Sequence, residues 1–383
     1  MKEPFKANIL FISTNEIWSG SELLWYESAK YLASQGHAVS AAVNYDHLKI
    51  SELKHSLHFF IDLRYRHSKL SRIRRLANRV VTVFKTNDVL AGYFKNIQPA
   101  LVVISQGSSI ASPDMIELCS RFQAKFVTLT QLVSEVHWLW LNDDLQQRLK
   151  KGYEKSLKNF FVSRRNMELH EFMLAYSCGN NEVVSNPLVV SANGTSYPSG
   201  VNYSIAFVGR IECFHKGLDM LLRVLNTSKW KNRPVAFNLY GDGPHVSILA
   251  QQIALFEINN IHLKGYTTDV ATVWQQNQLM ILPSRMEGQS LALIEALSFN
   301  RAAIVTDVGG ASEIVEDNVT GFIAHDATEG GLDEAMERAW EQREKWENMG
   351  IAAGKKIRAL RPDQSVHFFS ERIMEILQEC ETS

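Results

Sequence analysis

Short apolar runs recur along this chain, each followed by a longer stretch with apolar residues three or four positions apart. Asn8 to Ser13 reads as a strand, and Ser21 to Gln35 follows as a helix with Leu24, Trp25, Ala29 and Leu32 on one face. Gly36 stands where a helix-ending glycine belongs, and His37 to Val43 is the next strand. Leu101 to Ile104, Lys125 to Leu129 and Asn159 to Val162 are further runs of the type buried on both sheet faces. A polar stretch, Ser191 to Asn202, separates these from a second series. That series contains Ser204 to Val208, Val235 to Tyr240, Ile261 to Leu263, Leu279 to Leu282 and Ala302 to Val305. From Gly331 to Leu377 the chain is helix-forming, broken only at Pro362. Strands alternating with helices predict parallel sheets covered on both faces. The expected architecture is α/β, two Rossmann-like domains over residues 1–185 and 186–362, followed by a helical tail over 363–383.

Composition narrows the function. The 383 residues are 45% hydrophobic, enough for two cores, and the net charge of −1 excludes a global basic field of the kind that attracts nucleic acid. The four cysteines, Cys119, Cys178, Cys213 and Cys380, are scattered, with neither a disulfide framework nor metal-ligand spacing. No apolar run approaches the roughly 18 residues of a membrane span, and Ile9 to Ile12 is too short for a signal peptide. The expectation is a cytoplasmic protein with reduced thiols, no resident metal and no cofactor.

Sheets of this kind bind ligands at the carboxyl ends of their strands, so chemistry belongs in the loops just beyond them. Four such loops in the second half carry it. The first runs from Gly209 and Arg210 to Lys216 and Gly217, where two cations at a strand-to-helix turn suit a diphosphate. The second is Gly241-Asp242-Gly243-Pro244, which does not complete a dinucleotide fingerprint. A tight turn with Pro244 at the first helical position explains it as well as a donor-pocket loop does. The third is Glu287-Gly288-Gln289-Ser290-Leu291 and onward to Glu295. Its helix N-terminus offers amides to phosphate, and its glutamates can accept hydrogen bonds from sugar and ribose hydroxyls. Eight helical residues rise about 12 Å, more than the carboxylate pair of a glycosidase allows. The fourth is Val308-Gly309-Gly310 with Glu313. In the first half, Ser19-Gly20-Ser21-Glu22 occupies the corresponding turn after the first strand.

Together these motifs resemble the retaining family-4 glycosyltransferases of the GT-B fold, with the specific likeness between about Phe207 and Phe322. The resemblance implies two facing Rossmann-like domains with an interdomain cleft, and a C-terminal helix that returns to the first domain. It implies that Arg210, Lys216 and Glu287 act on the donor diphosphate and sugar. It assigns Gly20, Gly209, Gly241, Gly243, Gly288, Gln289, Ser290, Leu291 and Glu295 to donor binding. It also implies a nucleotide-sugar donor, UDP-linked by preference and GDP-linked next, used without a metal and with retention of configuration.

The chain departs from the pattern on the acceptor side. After the strand Phe126 to Leu129 many members carry a His-Asp pair; here Thr130 and Gln131 follow, and the nearest histidine is His137. Gln131 and His137 are the acceptor-side candidates, and the acceptor itself is open. A nucleotide-sugar epimerase of the same fold and an inactive sugar-nucleotide-binding partner remain alternative readings. One segment stands apart: Arg64 to Lys85 holds eight cations and no acid, with apolar residues near helical spacing between them. That pattern fits a peripheral helix on the inner face of an anionic membrane, a site for a phosphorylated acceptor, or an ordinary domain helix.

Overall fold

Thirteen short strands, buried most fully at the centre of each sheet, build two separate parallel sheets among the described residues. The computed structural model describes residues 6–63, 89–177, 179–188, 196–198, 202–360 and 362–382. The basic segment Arg64 to Lys85 and most of the polar stretch 191–202 lie outside the described residues. The chain divides into two units, one formed by Met1–Ser185 with Gln364–Ser383, the other by Asn186–Asp363.

The first unit holds β1 (Asn8–Ser13), β2 (Ala38–Val43), β3 (Phe59–Asp62), β4 (Leu101–Gln106), β5 (Phe126–Thr130), β6 (Lys158–Phe161) and β7 (Asn181–Val183). Their order is β3-β2-β1-β4-β5-β6-β7, with every pairing parallel. Ile9, Phe11, Val39, Val103 and Val127 point into a core on one face; Leu10, Ile12, Val102 and Ile104 point into a core on the other. This alternation within β1 and β4 is the two-sided burial that a parallel sheet requires. The helix Leu23–Ser34 covers the first face together with the helix Ser365–Thr382. Phe369, Ile373, Ile376 and Leu377 of the latter are buried in that core. The Phe369 ring stands edge-on to Phe160 at 5.0 Å. Arg372 holds Glu182 through Nε and Nη2 at 2.9 and 3.0 Å. The tail helix is thus an integral layer of the first unit.

The second unit holds β8 (Tyr203–Val208), β9 (Val235–Tyr240), β10 (Ile261–Gly265), β11 (Leu279–Leu282), β12 (Ala302–Thr306) and β13 (Gly321–Ala324). Their order, β10-β9-β8-β11-β12-β13, is the doubly wound Rossmann arrangement. One continuous core runs through it and includes Phe207, Phe237, Trp230, Trp274 and Trp346. Arg301 is buried there without an acidic partner: its guanidinium donates to the backbone oxygens of Trp274, Asn277, Phe299 and Ser196. It satisfies carbonyls that a shorter side chain would leave orphaned.

In each sheet the chain first builds outward on one side and then crosses back to the other. The strand order therefore reverses between β1 and β4 and again between β8 and β11. Loops leaving these paired strands diverge, and a crevice forms at their carboxyl ends. No helix of the described residues is long and apolar enough to cross a membrane.

Candidate functional site

At the second unit's reversal point, the loops after β8 and β11 are fastened to each other through their backbones. The amides of Arg285 and Met286 donate to the carbonyl of His215 at 2.9 and 3.3 Å. Gly217, at φ +65°, ends the short helix Cys213–Lys216 with its Cα against the Pro283 carbonyl. A Cβ there would lie 1.8 Å from that oxygen. The Glu212 side chain caps the same helix by accepting from the His215 amide at 3.3 Å. These constraints deliver Lys216 to Glu287: Nζ donates to Oε1 at 2.6 Å, and Ser284 Oγ donates to the same oxygen at 2.7 Å. Arg285 of the loop is taken up by Asp219 in a two-pronged pair at 2.6 and 3.0 Å.

Arg210 is different. It stands exposed at the end of β8, with no ion-pair partner among the described residues. Its charge acts on His215, as do those of Glu212, Lys216 and Glu287. Burial pushes the His215 imidazole below its ordinary range, with the two nearby cations adding to that and the two glutamates opposing it. The sequence reading passed over His215. A histidine one position before an assigned lysine carries no signal until its neighbours are known.

The glycine loops fit around this pair as packing elements. Gly241 has φ +147°, and a Cβ on it would meet the Gly209 carbonyl at 1.8 Å. A Cβ on Gly243 would meet the Ile211 carbonyl at 2.3 Å. Ile211 in turn donates to the Asp242 carbonyl at 2.9 Å, so the loops after β8 and β9 run in direct backbone contact. Pro244 lies two residues before the helix Val246–Leu255 rather than at its first position, and His245 precedes that helix. The His245 ring has a task of its own, accepting from the Cys213 amide at 2.9 Å. Gly309, at φ +53°, packs on the carbonyls of Glu287 and Gly288, and the Gly310 amide donates to Gly288 at 2.6 Å.

Beyond Gly288 the chain enters the helix Leu291–Ser298. Ser290 caps it, accepting from the Leu293 amide at 3.4 Å. The first-turn amides of Leu291 and Ala292 have no carbonyl to bond within the helix. Gln289 is buried and committed: its side-chain oxygen accepts from the Asn186 amide at 2.6 Å, and its carbonyl accepts from the Asn186 side chain at 2.8 Å. Gln289 therefore ties this loop to the start of the second unit. Glu295, one helical turn in, is half-buried with no hydrogen-bond or ion-pair partner among the described residues, and burial pushes its carboxyl up to about 7. An unpaired acid held in this state is ready to accept hydrogen bonds from hydroxyl groups.

The first unit's reversal point has a different chemistry. Gly20 begins the one-turn helix Gly20–Glu22 and is exposed. Glu22, two residues on, is fully buried and was not assigned from sequence. It accepts from Ser13 Oγ at 2.5 Å and Trp25 Nε1 at 2.8 Å, and also from Asn15 and Tyr45. Burial raises its pKa and these donors oppose that rise. The cluster locks the turn after β1 to β2's exit at Tyr45, a contact 23 residues away in sequence.

Gln131 is buried after β5, with its side-chain nitrogen unpartnered. His137 is buried too. Its Nδ1 accepts from the Ser134 amide at 3.4 Å in a reciprocal cap of the turn Glu135–Leu139, and its Nε2 lies 3.1 Å from Ser108 Oγ. Among the described residues no cluster of three or more His, Cys, Asp or Glu side chains could hold a metal ion.

Comparison with known proteins places this geometry. Residues 202–342 match the family model described as Glycosyl transferases group 1. Over 110 residues the chain is 33% identical to the poly(ribitol-phosphate) alpha-N-acetylglucosaminyltransferase of Staphylococcus aureus, covering 28% of this chain and 22% of that protein. Over 148 residues it is 24% identical to the alpha-D-kanosaminyltransferase of Streptomyces kanamyceticus, covering 38% of each. The match thus spans less than half the length of these curated relatives. Among solved structures, Anabaena HepE in complex with UDP-glucose superposes with a TM-score of 0.73 at 16% identity, over 97% of this chain and 100% of that one. Sucrose-phosphate synthase from Thermosynechococcus elongatus gives 0.74 at 14% identity, over 98% and 100%. Residues 202–342 therefore carry the glycosyl transferases group 1 signature, within a chain that has the GT-B fold.

Proposed function

We propose that this protein is a glycosyltransferase that takes a sugar from a nucleotide-sugar donor held by its second unit. The observation that carries the proposal is the paired Lys216 and Glu287 beside the exposed Arg210, at a Rossmann reversal point inside the matched stretch. A donor diphosphate carries two negative charges that grow on the leaving group as the glycosidic bond breaks. Arg210 and Lys216 supply the opposing charge, and the Leu291 and Ala292 amides add dipoles at a helix N-terminus. Glu295 accepts from the ribose hydroxyls, and Glu287 both aims Lys216 and touches the sugar. In the step itself, the acceptor oxygen bonds to the anomeric carbon and the carbon–phosphate oxygen bond breaks. The acceptor proton passes to the departing phosphate oxygen. Attack from the leaving-group side gives retention, the outcome the sequence resemblance implies. UDP is the favoured nucleotide, supported by the UDP-glucose complex of the HepE neighbour.

The test is calorimetric binding of UDP and GDP, then turnover of UDP-hexoses followed by release of UDP. Ligand at 100 times its Kd should raise stability by about 2.7 kcal/mol. Turnover should persist in excess EDTA, since the charge is met by side chains. A protein that binds neither nucleotide, or one that turns over only with added Mg²⁺ or Mn²⁺, would overturn the assignment of Arg210 and Lys216.

A further inference from the structure

The loops after β1, β2, β4 and β5 contain no lysine or arginine: residues 14–22, 44–47, 107–112 and 131–142 carry only neutral polar, apolar, acidic and histidine side chains. These four loops thus bring no cation of their own to the first unit's reversal point, unlike those of the second; Lys49, from the helix Leu48–Lys54, lies over the Trp18 ring at 5.5 Å. A phosphate or carboxylate group would find no charge partner in these four loops. Hydroxyl groups would find many.

One hydroxyl there is set by its surroundings. Ser108 follows β4, the strand at which the order reverses, and is half-buried rather than sealed. Its neighbour loop is tied to the one after β5: the Ser109 amide donates to Leu132 O at 3.0 Å, and the Gln131 amide donates to Gln106 O at 3.0 Å. The Ser134 amide occupies His137 Nδ1, which places the imidazole proton on Nε2. Nε2 then donates to Ser108 Oγ at 3.1 Å. With its oxygen receiving that proton, the Ser108 hydroxyl hydrogen is turned away from His137. The same arrangement leaves His137 without a free nitrogen to act as a base.

Aromatic surface lies alongside. Trp138 and Trp140 follow His137 in the chain and are 47% and 58% exposed; the Trp140 ring centre is 6.5 Å from that of His137, and Trp138 stands edge-on to Phe172 at 6.4 Å. Exposed indole faces next to a directed hydroxyl offer what a sugar or polyol needs, an apolar plate for its C–H face and a partner for its hydroxyls.

We propose that Ser108, held by His137 and flanked by Trp138 and Trp140, binds the acceptor, and that the acceptor group seated there is a neutral sugar or polyol. The proposal rests on the glycosyltransferase reading and names the substrate class of its acceptor side. Ser108 is a binding residue; His137 acts through it and is a positioning residue.

The test uses the full chain saturated with UDP and, as probes, methyl α- and β-hexopyranosides and ribitol, each beside its phosphorylated counterpart. Binding is read by saturation-transfer NMR. At least one neutral probe should bind, with its affinity lowered about tenfold in Ser108→Ala and Trp140→Ala and restored in Ser108→Thr. His137→Gln should lower it too, and the double variant with Ser108→Ala should add nothing further. UDP affinity, measured separately, should be unchanged in Ser108→Ala. Binding of no neutral probe, binding of phosphorylated probes alone, or a Ser108→Ala variant with unchanged affinity would each overturn the proposal. UDP binding by the wild-type protein keeps that outcome distinct from failure of the glycosyltransferase reading, which loss of UDP binding would signal.

Discussion

The two units repeat one topology and put opposite chemistry at the same place in it. Both reverse strand order next to their first strand; the second fastens the loops after β8 and β11 to each other, the first those after β4 and β5. In the second unit those loops expose a cation and pair another with an acid, and the helix that follows holds a second acid, Glu295, unpaired among the described residues. In the first, Glu22 is fully buried and spent on four donors, and the groups nearer the surface are hydroxyls, indoles and the acids Glu16, Asp46 and Glu135, with no lysine or arginine in these loops. The lesson is that the fold supplies a crevice and the loops decide what enters it. A crevice whose loops carry cations suits a diphosphate, and one whose loops carry none suits hydroxyl groups.

The sharpest way to break this comparison is to remove charge from the second unit. Lys216→Ala should lower turnover by roughly 10²-fold or more, as for loss of a preorganised charge stabiliser. The fold should survive with a modest fall in melting temperature, because Lys216 ends a one-turn helix and its loss leaves the Glu287 carboxylate with Ser284 as its hydrogen-bond donor. Normal kcat in this variant would mean that the diphosphate is bound elsewhere. Glu287→Gln should also cut kcat, since it replaces the carboxylate charge that holds Lys216 with a neutral amide.

A second comparison concerns the glycines that let the loops touch. Gly217 sits at φ +65° against the fixed backbone oxygen of Pro283. Gly107, its counterpart after β4, would place a Cβ 2.1 Å from Asn15 Oδ1, the end of a side chain that can swing aside. Gly217→Ala should therefore cost at least about 1–3 kcal/mol from the backbone conformation alone. Gly107→Ala should cost clearly less. Equal losses in denaturant melts would show that the two loop pairs are equally rigid.

Glu295 gives a pH signature that the first unit should lack. Below its unfolded value of 4.5 the group is protonated in both states and contributes nothing. Between 4.5 and about 7 only the unfolded chain ionises, so folding stability falls as pH rises through this window, and the loss is complete above about 7. At most this amounts to about 3 kcal/mol. Glu295→Gln should flatten that slope, leaving the variant more stable than wild type at pH 8 and equal to it at pH 4. Donor affinity should run the other way in the wild type, weakening as pH drops below about 7 because the protonated acid is a poorer acceptor. Parallel pH profiles for wild type and Glu295→Gln would remove Glu295 from the site.

Much of the architecture was legible because buried parallel strands are written as continuous apolar runs. Leu101 to Ile104 and Leu279 to Leu282 announce themselves this way. β3, β7 and β13 did not. Phe59 of β3 lies exposed at the sheet edge, Asn181–Val183 is three half-buried residues, and Gly321–Ala324 opens on a glycine. None has the length or periodicity that separates a strand from a loop. At the candidate site, the loops that carry Arg210, Lys216 and Glu287 were legible because spacing within a loop reports on the loop, and the structure brings Lys216 and Glu287 into contact. Glu22 and Ser108 were not, because their meaning lies in Tyr45 and His137, partners 23 and 29 positions away. Gln289 shows the converse: its place in a recognised motif suggested ligand binding, whereas the structure gives its side chain to Asn186.

The tail helix Ser365–Thr382 has a consequence for how the chain is made. The second unit is one continuous stretch and can complete its sheet and core as soon as Asp363 has left the ribosome. The first unit starts earlier yet must wait, because the layer containing Phe369 and Ile373 is synthesised after the whole of the second unit. Until then one side of its sheet lies open, with Phe160 and the helix Leu23–Ser34 uncovered. Of the two units, the one begun earlier is completed later, and that interval is when chaperones have the most to hold. A deletion of some twenty residues from the far end would leave the beginning of the chain in that unfinished state.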